Sequence, residues 1–352
     1  MKDRAISIGL VGAGYWGPNL LRNLAETPGC RVTHVCDPRP EALARVGKRF
    51  PQIHMTTRYQ DLLDDESLDA IVVATPAATH AALATLALTV GKHVLVEKPL
   101  CADVKAGEEL IELARRQGLI LMVGHTFEYN VAVRKLKEII ADHAFGEVVY
   151  AYSRRVNLGI LREDVNALWN LAPHDVSIIL YLFDEYPSFL SAQGLSHIRQ
   201  GVEDVAFVNL EFPSGRRAHI HVSWLDPSKA RSLTIIGSRQ MAVYDDLDPE
   251  ARLRIYDCGF EREQITSGVD HANPASYTYR ARTGDIVCPY LEWKEPLALE
   301  CRHFVQTITD GGVPLTDGIN GLRVVQILES ANLSMHQQGQ RVEVPCPQLL
   351  RS

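Results

Sequence analysis

Ala5-Ile-Ser-Ile-Gly-Leu-Val11 runs straight into Gly12-Ala-Gly-Tyr-Trp-Gly17, and Asn19-Leu-Leu-Arg-Asn-Leu24 follows with helical spacing. A short apolar run, a glycine-rich turn and a helix in that order read as strand, turn and helix N-terminus. In such a turn the first glycine makes the tight bend. The second lets the main chain approach a pyrophosphate, and the third lets helix and strand pack closely. Free N–H groups and the helix dipole at that point favour an anion. Asp37 lies 20 positions beyond Gly17, at the end of the next apolar run, Arg31–Cys36. A carboxylate there accepts hydrogen bonds from two ribose hydroxyls and repels a 2′-phosphate. Gly12, Gly14, Tyr15, Trp16, Gly17 and Asp37 are therefore expected to hold a dinucleotide, with NAD favoured. Arg39 can meet a 2′-phosphate, so NADP stays open.

The same alternation continues outward. A helix is expected from Pro40, a good first-turn residue, to Phe50. Asp69–Ala74 reads as a buried strand, Thr79–Val90 as a helix stopped by Gly91, and His93–Glu97 as a strand. Val104–Gln117 is an amphipathic helix ending at Gly118, and Leu119–Val123 a strand. Short apolar strands separated by helices imply a parallel sheet covered on both faces. Beyond residue 145 the texture changes. Val148–Val156, Val205–Phe212, Arg217–Trp224, Ser232–Gly237, Met241–Asp245 and Leu253–Tyr256 are β-rich, with a hairpin-like turn at Pro213-Ser-Gly215. Helices are expected at Ala167–Phe183, Pro296–Asp310 and Gly318–Gln338, and a polar, irregular excursion at Cys258–Tyr279. The fold class is α/β: a doubly wound parallel sheet over residues 1–126, then an α+β domain over 127–352. The second domain carries a large, mostly antiparallel open sheet, and its C-terminal helices pack back on the first.

Composition bounds the partners. The 352 residues suggest two domains at ~150 residues each. Hydrophobic residues at 46% and charged residues at 22% describe an ordinary globular chain. A formal charge of −7 leaves no basic stripe for nucleic acid or polybasic patch for a membrane surface. No apolar run approaches the ~20 residues of a spanning helix. Met1–Arg4 followed by Ala5–Val11 imitates a signal peptide, but glycines and aromatics follow where a cleavage site would stand. The seven cysteines are odd in number, scattered and without CxxC, which fits reduced thiols in a cytoplasmic protein. His219 and His221 share a strand face, but no Cys or carboxylate completes a set, so no metal is expected. An open antiparallel face needs a cover, and a homodimer or homotetramer formed through that sheet would supply one.

Two further segments, Ala74-Thr-Pro-Ala-Ala-Thr-His80 and Glu97-Lys-Pro99, end successive strands and so lie at the sheet edge where ligands bind. With the glycine motif they resemble the Gfo/Idh/MocA oxidoreductases, a likeness that extends over essentially the whole chain. Gly14-Tyr-Trp-Gly-Pro-Asn19, Val123-Gly-His-Thr-Phe127, Asn157-Leu-Gly159, Ala172-Pro-His-Asp175 and Ser223-Trp-Leu-Asp-Pro227 resemble its nucleotide-sugar branch, such as UDP-N-acetylglucosamine 3-dehydrogenases. The resemblance implies that Thr75, Pro76, His80, Glu97 and Lys98 line the cofactor. It also implies that Lys98 reaches the reacting hydroxyl and that Pro99 is cis. The family's Asp-x-x-x-His falls on Asn170 and His174. An amide at 170 still hydrogen-bonds a sugar hydroxyl but cannot carry charge. His174 is the expected general acid/base, because its unperturbed pKa lies near neutrality. Pro173 suits the first turn of a helix better than its interior.

Tyr129 and Asn130 are expected to flank the nicotinamide, and Arg154, Arg155 and Asn157 lie on the first strand of the second domain and its exit, where an arginine faces a diphosphate or is simply a solvated strand residue. Lys229 and Arg231 are ambiguous in the same way. The expected activity is NAD-dependent interconversion of a ring hydroxyl and a ketone, at C3 of a nucleotide-activated hexose. An inositol or free-sugar dehydrogenase, a sugar 3-ketoreductase and a non-catalytic NAD-binding regulator are the alternatives.

Overall fold

The computed structural model describes residues 4–159, 161–162, 164–264 and 277–347. The chain opens with β1 (Ile6–Val11), α1 (Gly17–Glu26), β2 (Cys30–Cys36), α2 (Pro40–Gly47), β3 (His54–Thr56) and α3 (Gln60–Asp64). It continues with β4 (Ala70–Val73), α4 (His80–Thr89), β5 (His93–Glu97), α5 (Val104–Gln117) and β6 (Leu121–Gly124). The six strands form one sheet in the order β3-β2-β1-β4-β5-β6, every pair parallel. The order reverses between β1 and β4, and the crevice above that point is where such sheets take ligands. Strands β4 and β6 are wholly buried, as a sheet covered on both faces requires. The short β3 and α3 had no expectation attached to them.

A second sheet follows α6 (Val131–Ala141). Its strands are β7 (Val148–Leu158), then, after α7 (Ala167–Phe183), β8 (Phe189–Leu195), β9 (Val205–Glu211), β10 (Arg217–Ser223) and β11 (Leu225–Gly237). β12 (Met241–Asp245), β13 (Leu253–Gln264) and β14 (Tyr277–Val287) come next, then α8 (Pro296–Asp310), α9 (Gly318–His336) and β15 (Val342–Glu343). The nine strands are ordered β14-β13-β12-β11-β7-β10-β9-β8-β15. All neighbours are antiparallel except β10 and β7, which run parallel. The irregular excursion expected at Cys258–Tyr279 is corrected: β13 extends to Gln264 and pairs antiparallel with β14 from Tyr277 onward, while 265–276 lies outside the described residues. Polar strands of a two-stranded arm carry little hydrophobic alternation, and only their pairing shows them to be strands.

One face of this sheet is covered by α7 and α9. On the other, Tyr150 and Tyr152 stack with ring centroids 6.3 Å apart, and Phe207 stacks on His219 and His221. Tyr150 and Tyr152 stay exposed on that face. The last helices return to the first sheet: α8 packs on α1 and β1, and α9 on α5 and β6. The main chain of Val123 donates to the Thr316 carbonyl at 2.7 Å, which pins the entry to α9 beside the end of β6. Both sheets therefore meet at the carboxyl ends of β4, β5 and β6.

α7 bridges this junction. Asn166 caps it by accepting from Trp169 N at 3.0 Å. Pro173 lies in its interior, not its first turn, so the Trp169 carbonyl lacks the usual donor four residues on. Asp175 reaches down from α7 to β7, where Arg155 donates to it at 2.6 Å with both side chains almost fully enclosed. Removing one partner of such a pair leaves an uncompensated buried charge. Asp175→Ala is expected to lower stability by about 3–5 kcal/mol in denaturant unfolding; a loss below ~1 kcal/mol would show that Arg155 finds water or another partner.

Candidate active site and cofactor cleft

The glycine turn between β1 and α1 is shaped by close approach. A Cβ on Gly17 would stand 2.0 Å from the Gly12 carbonyl oxygen, and one on Gly12 (φ 101°) 2.3 Å from that of Ala74. Neither site admits a side chain. The first turn of α1 has no side-chain cap, leaving its N–H groups to the cleft, where an anion is favoured. Tyr15 is almost fully exposed above it and Trp16 partly so. A dinucleotide pyrophosphate fits this cradle.

Asp37 is buried at the end of β2. Its Oδ2 accepts from Ala13 N at 2.8 Å, which ties it to the glycine turn. Arg39 closes a fork on it, with Nε to Oδ1 and a terminal nitrogen to Oδ2, both at 2.9 Å. Burial works against the Asp37 anion, but the bonds from Arg39 and Ala13 outweigh it and hold the carboxyl below its ordinary range. Arg39 thus occupies both carboxylate oxygens of Asp37.

The ends of β4 and β5 carry the next residues. Thr75 and Thr79 share a hydrogen bond at 2.7 Å, and Pro76 is exposed. His80, expected to line the cofactor, is instead buried. Its ring nitrogens lie 2.7 Å from the Pro99 carbonyl and 2.9 Å from that of Thr75, stitching the two strand ends together. The Lys98–Pro99 peptide is cis. Lys98 Nζ donates at 3.2 Å to the main-chain carbonyl of Asn170 on α7, so the substitution of amide for carboxylate at 170 does not remove the contact that holds the lysine. The Asn170 side chain is partly exposed.

Glu97, Lys98 and His174 are all reached by solvent through the cleft, yet protein surrounds each of them. Burial pushes Lys98 down to about 8, against the pull of Glu97 and with help from Arg155, Arg162 and Arg231. Burial pushes Glu97 up to about 7, against the attraction of Lys98. Burial and the neighbouring Lys98 hold His174 well below its ordinary value, so its imidazole is neutral. Its Nδ1 is enclosed without a partner. The Phe127 ring meets His174 edge-on at 5.0 Å, and the Arg155 guanidinium covers Phe127 at 4.7 Å.

Several expected contacts lie elsewhere. Tyr129 is buried, its hydroxyl 3.2 Å from Thr316 Oγ1, and Asn130 caps α6 by accepting from Ala132 N at 2.9 Å. Arg155 is enclosed against Asp175 and not presented to a diphosphate. Strand-end sequence placed these residues near the cleft, but their side chains turn inward. Arg154 pairs with Asp226 at 3.2 Å on the exposed side of β7, Asn157 is partly exposed near its end, and Lys229 is exposed. Arg231, whose charge is felt at Lys98 and His174, pairs with Asp246 at 3.5 Å.

His125 was missed. It follows β6, is fully buried with neither ring nitrogen partnered, and is held down to about 3 by burial and then Lys98. Its place in Val123-Gly-His-Thr-Phe127 after a strand end was the available signal. Glu300 of α8 is likewise fully buried with both carboxyl oxygens unpartnered, and nothing in its helical sequence marks it. Among the described residues no group of three His, Cys, Asp or Glu is arranged to hold a metal ion, and no helix is long and apolar enough to cross a membrane.

Comparison with known proteins agrees with this geometry. Residues 6–125 match the oxidoreductase family with an NAD-binding Rossmann fold, GFO/IDH/MocA, and residues 133–243 match the GFO/IDH/MocA C-terminal domain. The uncharacterized oxidoreductase YdgJ of Escherichia coli is 30% identical over 270 residues, 72% of this chain and 75% of that protein. The UDP-N-acetylglucosamine 3-dehydrogenase of Acidithiobacillus ferrooxidans is 24% identical over 331 residues, 90% of this chain and 93% of that one. The crystal structure of GenD2 from gentamicin A biosynthesis, in complex with NAD, shares the fold with a TM-score of 0.81 at 22% identity, covering 98% of both chains. The chain is an oxidoreductase with an NAD-binding Rossmann domain. It belongs to the GFO/IDH/MocA family.

Asp37→Ser removes the acceptor for the ribose hydroxyls and frees Arg39 for a 2′-phosphate. NAD affinity is expected to fall roughly tenfold or more while NADP improves, read as the ratio of dissociation constants for the two cofactors. An unchanged ratio would remove Asp37 from cofactor selection.

Proposed function

We propose that the protein oxidises a ring CH–OH of a sugar to the ketone, or runs the reverse, with C3 of a nucleotide-activated hexose as the preferred position. The observation that carries this reading is the juxtaposition of Lys98 and a neutral His174 at the carboxyl ends of the parallel strands, beside the glycine cradle. Bound NAD supplies the hydride acceptor. Lys98, as an ammonium, donates to the hydroxyl oxygen and stabilises the negative charge that builds there as hydride leaves. His174 accepts the hydroxyl proton through Nε2, its ring held by Phe127. Asn170 is placed to hydrogen-bond a neighbouring hydroxyl.

A phosphate-bearing substrate is supported by the cations around the site. Arg155 is committed to Asp175, but Arg162 and Arg231 lie further out, and the charge of each is felt at Lys98. They are tied to Asp164 and Asp246, which orients them without enclosing them. A diphosphate replacing either carboxylate would gain charge-assisted hydrogen bonds. The position of oxidation follows the likeness to the UDP-N-acetylglucosamine 3-dehydrogenase.

The test is reduction of NAD against a panel of inositol, free hexoses and their nucleotide-linked forms. The nucleotide-linked hexose is expected to be preferred, and Arg231→Ala to raise KM for it alone. Because Lys98 is held down to about 8, the ammonium is present below that pH and lost above it. kcat/KM should therefore fall as pH rises through about 8, and Lys98→Met should lower it by ~10²–10⁴ and abolish that limb. Equal rates on free sugars would contradict the nucleotide reading. A kcat/KM that rises through the same window would make neutral Lys98 the proton acceptor.

A further inference from the structure

The carboxylate of Glu97 touches three parts of the site at once. Its Oε1 accepts from the indole Nε1 of Trp16 at 2.5 Å, across the mouth of the crevice from the glycine turn. Its Oε2 accepts from the main-chain amide of Lys98 at 3.2 Å. Its third neighbour is an absence of side chain: a Cβ on Gly124 would stand 3.1 Å from the Glu97 carboxyl carbon, so glycine at the end of β6 makes the room in which this carboxylate lies. Trp16 belongs to the cofactor turn and is partly exposed in the cleft. Lys98 belongs to the chemistry. Strand β4 lies between the two strands that carry them, so without Glu97 no hydrogen bond between described residues links the indole to the end of β5.

We propose that Glu97 is a positioning residue that couples cofactor seating to the catalytic lysine. Through Trp16 it fixes the indole wall of the cofactor cleft, and through the Lys98 amide it fixes the main chain that carries the ammonium. The proposal rests on the reading of Lys98 as the group beside the reacting oxygen, but its cofactor half does not.

The strut works only while Glu97 is an anion, because a protonated carboxyl accepts more weakly from both donors. The groups facing it are the Lys98 ammonium, the Cys301 thiol and the Glu300 carboxyl. Glu300 has no exposed surface and neither oxygen meets a hydrogen bond of normal geometry; the Thr126 hydroxyl is the neighbouring group that favours its anion. A carboxyl so enclosed is neutral, with burial as the main cause and the Glu97 charge as the second. Glu97 is thus the one anion of the pair. Its own pKa is raised to about 7, so the strut is present above that pH and lost as pH falls through it.

The experiment is NAD binding by titration calorimetry at pH 8 for wild type, Trp16→Phe, Glu97→Gln and the double variant. Each single change is expected to weaken NAD by roughly 10-fold, and the double variant to be no worse than the weaker-binding single one. Wild-type affinity should tighten as pH rises through about 7, while Glu97→Gln stays flat. Glu97→Gln should also lower kcat at saturating NAD and substrate, whereas Trp16→Phe should act mainly on cofactor affinity. Multiplying effects in the double variant, or a Glu97→Gln protein with unchanged NAD affinity, would overturn the proposal. Should Glu97→Gln fail to fold, Trp16→Phe alone decides: an aromatic ring remains, but the pyrrole ring and its N–H donor are lost, so unchanged affinity and an unchanged pH dependence of binding would overturn it. Coupled NAD binding without turnover would leave the strut standing and put the fault in the role of Lys98.

Discussion

The ammonium of Lys98 has to keep its charge in a place that disfavours it. Protein surrounds it, Arg155, Arg162 and Arg231 oppose it, and Glu97 is the charge that favours it. In the proposed reaction that close balance matters, because a lysine held down to about 8 can donate to a developing alkoxide as an ammonium and still release its proton nearby in pH. Each neighbouring element serves that balance. β5 ends at Glu97, Gly124 leaves room for its carboxylate, and α7 presents the Asn170 carbonyl to the ammonium. His174, deprived of charge by the same surroundings, is left as a neutral acceptor.

The two sheets are held at this spot by interactions that look structural and are part of the site. Arg155 and Asp175 join β7 to α7, and the same guanidinium covers Phe127, whose ring meets His174. Val123 and Thr316 join β6 to the entry of α9 through main-chain and hydroxyl bonds at 2.7 Å. His80 stitches the ends of β4 and β5 from beneath.

Much of the fold was legible because its signals are local. Strand and helix periods, glycine stops and Pro at a first turn marked the parallel half, and α8 begins and ends where its apolar spacing does. The short β3 and α3 carry too few residues for a period to show, and β13 and β14 are visible as strands only through each other. The site was legible to the level of the strand end and no further. Glycines, Asp37 and Lys98 lie at the strand ends where their motifs put them, because backbone geometry decides those positions. Tyr129, Asn130, His80 and Arg155 also follow strand ends or lie on strands near the cleft, yet they turn inward to Thr316, Ala132, Pro99 and Asp175. That direction depends on partners up to 187 residues away, as for Tyr129 and Thr316. Glu300 and His125 escaped for the same reason. An ordinary helix position and a residue after a strand become informative only when burial leaves their polar atoms without partners.

In the proposed reaction hydride leaves a ring carbon of a sugar for the nicotinamide, with Lys98 and His174 at the reacting oxygen. The direct measurement is a single turnover with NAD and a nucleotide-linked hexose deuterated at C3, followed by mass analysis of the recovered cofactor. Deuterium in the reduced nicotinamide, with turnover slowed relative to the unlabelled sugar, is the predicted result. Reduced cofactor without deuterium, or no reduced cofactor with any sugar while NAD stays bound, would contradict it.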